Sequence, residues 1–233
     1  FLLIYGVTLL ANLGMIALIQ VSSRLHTPMY FFLSHLSSVD FCYSSIIVPK
    51  MLANIFNKDK AISFLGCMVQ FYLFCTCGVT EVFLLAVMAY DRFVAICNPL
   101  LYMVTMSQKL RVELTSCCYF CGTVCSLIHS SLALRILFYR SNVINHFFCE
   151  APAVLKLACA DTALYETVMY VCCVLMLLIP FSVVLASYAR ILTTVQCMSS
   201  VEGRKKAFAT CSSHMTVVSL FYGAAMYTYM LPH

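Results

Sequence analysis

Apolar positions in this chain run on instead of alternating. Six stretches, at about 1–21, 29–52, 65–90, 112–134, 163–189 and 207–231, are mostly apolar, and short polar links separate them. A strand with one wet face alternates with period two, and a half-wet helix repeats its apolar positions every 3.6 residues. Continuous runs of this length fit a helix whose surroundings are apolar on every side. The hydrocarbon layer of a membrane is about 30 Å thick and a helix rises about 1.5 Å per residue, so about 20 residues cross it. The pattern predicts an all-α fold, a transmembrane helical bundle in one domain over 1–233, and speaks against an outer-membrane-type barrel. The first stretch is of full span length and lacks a basic start and a small-residue cleavage site, so it reads as a helix and not a cleavable leader.

Composition sharpens the choice of solvent. The 233 residues are 63% hydrophobic and 10% charged, against roughly a quarter charged in soluble domains. One soluble core could not hide so much apolar surface. The net charge of +5 is modest and scattered among the links, which leaves no nucleic-acid footprint. No nucleophile–base–orienter set and no glycine-rich phosphate loop emerges, so an enzyme is disfavoured. A small transporter or channel with Asp40 and Glu81 on its path is the other membrane class to weigh, but seven glycines and no internal repeat do not suit it.

The links also suggest an orientation. Arg24, Arg92, Lys109, Arg111, Arg190, Arg204, Lys205 and Lys206 fall on one side, and Lys50, Lys58, Lys60, Arg135, Arg140 and Lys156 on the other. The positive-inside rule places the first group in the cytoplasm and the N-terminus outside. Of 15 cysteines, Cys67, Cys149 and Cys159 lie at or beyond the outer ends of spans, where disulfides form. The others sit in or beside spans, where a thiol behaves mostly as a small polarizable hydrophobe.

Five motifs carry a family resemblance. They are LHTPMYFFLS (25–34), MAYDRFVAICNPLLY (88–102), NVINHFFCE (142–150), SYARIL (187–192) and KAFATCSSHMTVVSLFYG (206–223). With them the chain resembles a rhodopsin-like G-protein-coupled receptor, and more closely the olfactory receptor family. The lack of tryptophan and Phe221-Tyr222-Gly223 in the sixth segment agree, and Phe74 stands where an amine receptor would carry an aspartate. The resemblance implies six of the family's seven helices, in a plasma-membrane receptor truncated at both ends. It also implies a disulfide between Cys67 and Cys149 that lays the long outer loop over a cavity. Tyr139 stands where the family has a further loop cysteine, which leaves Cys159 without its expected partner.

Ionisable groups inside a membrane cost at least about 2.5 kcal/mol each, so they mark function. Asp40 lies eleven residues past Met29, and Glu81 eleven before Arg92. At about 1.5 Å per residue both lie about 16 Å deep, level with Asn12 on the first helix. Two carboxylates so placed would share a proton or hold a cation. A sodium or proton site is the expectation, with a purely structural hydrogen-bonded cluster as the alternative. No other cofactor is expected.

At the inner end, the resemblance makes Asp91 and Arg92 a latch. Arg92 is held locally at rest and on activation turns to Tyr188 and to the inserted C-terminal helix of a G protein. Arg204, Lys205 and Lys206 would touch that G protein, anionic lipid, or simply anchor the helix. Pro180 removes a backbone donor in the fifth segment and marks either a moving kink or a fixed bend.

In the outer half, stripes on three helices converge. Phe74, Cys75, Gly78 and Val79 share a face of the third; Met169, Cys172, Cys173 and Met176 share one of the fifth; Tyr222, Ala225, Met226 and Tyr229 share one of the sixth. Such stripes are ordinarily helix packing, but the resemblance matches them to an odorant cavity. It would take a small, volatile, mostly apolar molecule, with Tyr222 as the hydroxyl that touches it. Cys121, Cys125 and His129 fall at i, i+4, i+8 on the fourth helix, a spacing that can gather metal ligands; in so cysteine-rich a chain, packing is the preferred reading. The implied partners are an odorant, the lipid bilayer and a stimulatory heterotrimeric G protein that raises cyclic AMP. A truncated, non-signalling receptor is the alternative.

Overall fold

A computed structural model describes residues 2–56, 62–137, 163–198 and 200–230. The long helices are α1 (Leu2–Val21), α2 (Pro28–Phe56), α3 (Phe64–Cys97), α5 (Gln108–Leu137), α6 (Ala163–Cys197) and α7 (Val201–Met230), with a short α4 (Tyr102–Thr105) and a 3₁₀ turn at Ser23–Leu25. Four of them are started by local chemistry. Pro28 opens α2, where its missing N–H costs nothing. The Ser63 hydroxyl accepts the Gly66 N–H at 3.1 Å and starts α3. Ser107 and Ser200 play the same part for α5 and α7, accepting from Leu110 and Gly203. Asn98 and Pro99 end α3, because proline cannot continue a helix.

The helices outrun the apolar stretches. α3 continues to Cys97, so Asp91 and Arg92 lie within the helix and do not end it, and α6 and α7 extend at their Arg92-side ends to Cys197 and from Val201. Hydrophobicity marks where lipid stops, whereas backbone hydrogen bonds persist into the interface. Among the described residues, five helices are long and apolar enough to cross a membrane. The sixth expected span, α7, is as long, but Glu202, Arg204 and Lys205 at its start and later serines, threonines, tyrosines and His214 dilute it. α6 runs through Pro180 without a break in its assignment.

α3 is the central post. It packs against α2, α5, α6 and α7, while α1 packs on α2. The core along it joins Phe32, Leu36 and Val39 of α2 to Leu84, Leu85 and Ala89 of α3, Leu177 and Val184 of α6, and Val218 and Tyr222 of α7. Lipid is as apolar as leucine, so helices in it associate by tight packing and cross-helix hydrogen bonds. Gln70 donates to the Ile46 carbonyl at 3.0 Å, and the Tyr222 hydroxyl to the Val82 carbonyl at 2.9 Å. Many serines and threonines instead return a hydrogen bond to their own helix, as Thr76 does to Tyr72 and Ser126 to Gly122.

The tightest seam is α3 on α5. A Cβ added at Gly122 would overlap the Thr80 hydroxyl oxygen and come within 2.8 Å of the Thr76 carbonyl, whereas one at Gly223 would meet nothing within 4 Å. Gly122→Ala should therefore destabilise the folded chain by about 1–3 kcal/mol. Gly223→Ala should be neutral or slightly stabilising, since alanine is the better helix former. Paired thermal melts in detergent check this; equal melting temperatures for the two variants would refute the seam.

Candidate functional site

At the end of the bundle remote from Arg92, the helices do not close. They leave a cavity of about 440 Å³, within the range of small-molecule sites. α3 supplies Phe74, Cys75, Gly78 and Val79, and α6 supplies Met169, Cys172, Cys173 and Met176. Helical spacing puts each set of four on one face of its helix, because residues three and four apart stack together. Ala225 of α7 joins them.

Two expected lining residues, Tyr222 and Met226, fall otherwise. Tyr222 is 1% exposed, its ring lies 5.3 Å from that of Phe181, and its hydroxyl is spent on the Val82 carbonyl. It braces α7 on α3 and is not on the cavity wall. Met226 packs against the core beside it. The side chain of Tyr229 lies outside the described residues. On α7 the wall is made instead by Phe221, Ala224, Ala225 and Thr228. The wall lies one residue before the expected stripe, a step that turns a side chain by about 100° on a helix.

Two helices were missed as contributors. α2 brings Tyr43 and Ile47, and α5 brings Cys125 and His129. The Cys121–Cys125–His129 stripe was visible in the sequence, but nothing there distinguished a cavity wall from packing. Cys125 and His129 are 1% and 5% exposed, with Sγ 4.0 Å from Nε2. Among the described residues, no three His, Cys, Asp or Glu side chains converge as a metal cluster would require.

Below the cavity, the Asp40 and Glu81 carboxyls are within hydrogen-bonding reach of each other. Helical rise thus brings together the two acids that sequence depth paired. Asn12 is not seen in that pairing: its amide donates to the Thr8 carbonyl of its own helix at 3.0 Å.

Nearer the other end, Asp91 is fully buried. Arg92 Nη2 donates to one of its oxygens at 3.0 Å, and the Tyr102 hydroxyl to the other at 2.9 Å. Tyr102 comes from α4, outside the spans, where burial and the Asp91 carboxylate push its phenol above its ordinary pKa and keep it a donor. Sequence reasoning had not named it, although it closes the same motif. Tyr188 does not meet Arg92; its hydroxyl is 2.6 Å from His214 Nδ1, and the two rings stack. Arg111 stacks over Phe31 at 5.7 Å. Arg204 and Lys205 are exposed, with Arg204 Nε donating to the Met198 carbonyl. The side chain of Lys206 lies outside the described residues. Cys67 is disulfide-bonded; Cys149, its expected partner, and Cys159 lie outside the described residues.

Comparison with known proteins agrees with the motifs. A family model described as olfactory receptor matches residues 1–233. Human olfactory receptor 5L2 is 76% identical over 232 residues, covering 100% of this chain and 75% of that protein. Human olfactory receptor 5L1 is 75% identical with the same coverage. Human olfactory receptor 2T1 is 67% identical over 231 residues, covering 99% of this chain and 63% of its own length.

The Tyr102–Asp91 bond is testable by itself. Tyr102→Phe removes one donor from a buried carboxylate, and hydrogen bonds to charged groups contribute about 1.5–3 kcal/mol. A loss of stability of that order, read as a lower melting temperature, is expected, with Tyr170→Phe, an exposed tyrosine on α6, leaving it unchanged.

Proposed function

Because the chain belongs to the olfactory receptor family, we propose that it is an odorant-activated, multi-pass receptor of the plasma membrane with its N-terminus outside. It binds a small, mostly apolar volatile molecule and activates a stimulatory heterotrimeric G protein, raising cyclic AMP. The observation that carries this reading is the cavity of about 440 Å³ walled by aromatic rings, aliphatic groups and sulfur. Such a wall holds its ligand by dispersion and a few hydrogen bonds, with His129 and Thr228 as the polar lining side chains of α5 and α7. Among the described residues, no Asp, Glu, Lys or Arg belongs to the lining, which favours an uncharged ligand.

Signal output falls to the opposite end of α3. Arg92 is tied to Asp91, and release of that tie frees a guanidinium for the C-terminal helix of the G protein and for Tyr188. Arg204, Lys205 and Lys206 add positive charge at the start of α7 for the same partner or for anionic lipid. Between the two ends, Asp40 and Glu81 hold a proton or a sodium ion that stabilises one receptor state. A hydrogen bond between two carboxyl groups requires one proton, so the proton-bound form suits the arrangement described above.

A panel of uncharged volatiles with a cyclic AMP readout tests the reading. Arg92→Ala should reach the cell surface and stay silent; a full response from it would overturn the coupling. Gly78→Val should weaken the largest active ligands by about tenfold or more, since cavity space is worth about 1–3 kcal/mol per methylene, and spare the smallest. Glu81→Gln should abolish any sodium dependence of the melting temperature. If that dependence survives unchanged, the ion site is not at these carboxyls.

A further inference from the structure

Besides its seam with α3, α5 has a second seam, with α2, that side chains bridge. At the Arg92 end of the bundle, the Arg111 guanidinium of α5 lies over the Phe31 ring of α2 at 5.7 Å. One turn along α2, the His35 ring meets Phe31 at 4.9 Å. Its Nδ1 lies 3.4 Å from the Tyr119 hydroxyl of α5.

The basic side chains around this end differ in how their charge is met. Arg92 is paired with Asp91. Lys109 stands in water, its side chain 86% exposed and 3.8 Å from Glu113. Arg111 has neither arrangement. It is half-buried, its Nε is shut from water without a partner, and among the described residues no carboxylate pairs with it. Asp91 is within electrostatic reach, but its two oxygens are taken by Arg92 and Tyr102. Two guanidiniums around one carboxylate leave one positive charge in excess. A charge withdrawn from water is costly until a counter-charge meets it.

We propose that Arg111, flat on its Phe31 shelf, binds the phosphate of an anionic phospholipid in the leaflet on the Arg92 side. The acyl chains of that lipid run along the α2–α5 seam. Three arguments select this occupant. The first is sign. A headgroup with net negative charge cancels the excess, whereas a zwitterionic lipid carries its own ammonium and leaves the sum unchanged. The second is shape. A guanidinium stacked on a ring is fixed in orientation, and its planar fork matches two phosphate oxygens. The third is place. Val112 and Phe120 of α5 are exposed apolar side chains on either side of Arg111 and Tyr119 in sequence, so hydrocarbon flanks the seam. Basic pockets between membrane helices are known takers of lipid headgroups. The site is independent of the volatile molecule in the cavity and of the charges at the start of α7.

The test titrates the purified chain in detergent with phosphatidylglycerol, whose phosphate is its only charge, and reads the first bound lipid by native mass spectrometry. Phosphatidylglycerol should bind at lower concentration than phosphatidylcholine. Arg111→Gln should raise its half-occupancy concentration by at least about tenfold, and Arg190→Gln, an exposed cation on α6, should leave it unchanged. Melting temperatures without lipid establish that Arg111→Gln folds. A phosphatidylglycerol with a photoreactive group beside its glycerol makes the test on the unaltered chain. Peptide mapping should find its label on α2 and α5 around Phe31 and Val112 before any at the start of α7. Equal binding of the two lipids, an unchanged titration in folded Arg111→Gln, or label absent from α2 and α5 would overturn the site. Displacement of the lipid by equimolar inorganic phosphate would overturn the choice of a lipid as occupant.

Discussion

The bundle depends on how closely α5 can approach α3. In lipid, apolar surface gains nothing from leaving its solvent, so a seam between helices must be made by fit. Gly122 provides it: its missing side chain admits the Thr80 hydroxyl and the Thr76 carbonyl to the α5 backbone. That approach sets α3 deep among its neighbours, and its buried face, from Cys67 to Val94, serves as their common wall. Two residues from Thr76 and from Thr80, and so on the opposite side of the same helix, lies Gly78, whose added Cβ would have only Tyr43, at 3.8 Å, nearby. Two glycines thus do opposite things. Gly122 closes one side of α3, and Gly78 leaves the other side open for the cavity.

The cavity floor follows from the same helix. Val82 lines the cavity and accepts the Tyr222 hydroxyl through its carbonyl. A helical carbonyl has a second lone pair beyond its own ladder bond, so α7 can be tied to α3 without breaking the helix. One residue away, Glu81 meets Asp40. Ligand space, helix brace and buried acids therefore occupy consecutive positions on one turn of α3, and a change in one reaches the others through shared backbone.

Much of this was legible in the sequence. Continuous apolar stretches gave the helices, because lipid demands them, and the depth of Asp40 and Glu81 followed from helical rise alone. The eight lining residues on α3 and α6 were readable as stripes from helical spacing, but only the family resemblance set them apart from ordinary packing. α7 was not, since Tyr222 and Phe221 are both aromatic and apolar enough for either role; which one faces the cavity depends on where the Val82 carbonyl lies. The parts of Tyr43, Cys125 and His129 were hidden for a related reason. In a helix surrounded by lipid and protein, hydropathy is nearly uniform and no longer marks the inward face. Tyr102 was overlooked because its partner is eleven residues away across a turn that only the fold defines.

Two tyrosines show how the ends of the molecule can be coupled. Tyr222 fixes α7 to α3 beside the cavity, and Tyr188 holds His214 of α7 from α6, closer to Arg92. The cavity wall on α7, from Phe221 to Thr228, adjoins the first of these ties and lies within two to four turns of the second. Each neutral hydrogen bond contributes a net 0.5–1.5 kcal/mol or so; together they hold α7 by about 1–3 kcal/mol. Moving an equilibrium from 1:99 to 99:1 takes about 5.5 kcal/mol of differential binding, which a small volatile molecule cannot easily supply. Because the polar ties add so little to the packing of α7, a ligand that gains a few contacts with displaced Phe221 and Thr228 can offset them. In the proposed mechanism the weakness of these ties is what makes a greasy molecule of few atoms an adequate signal.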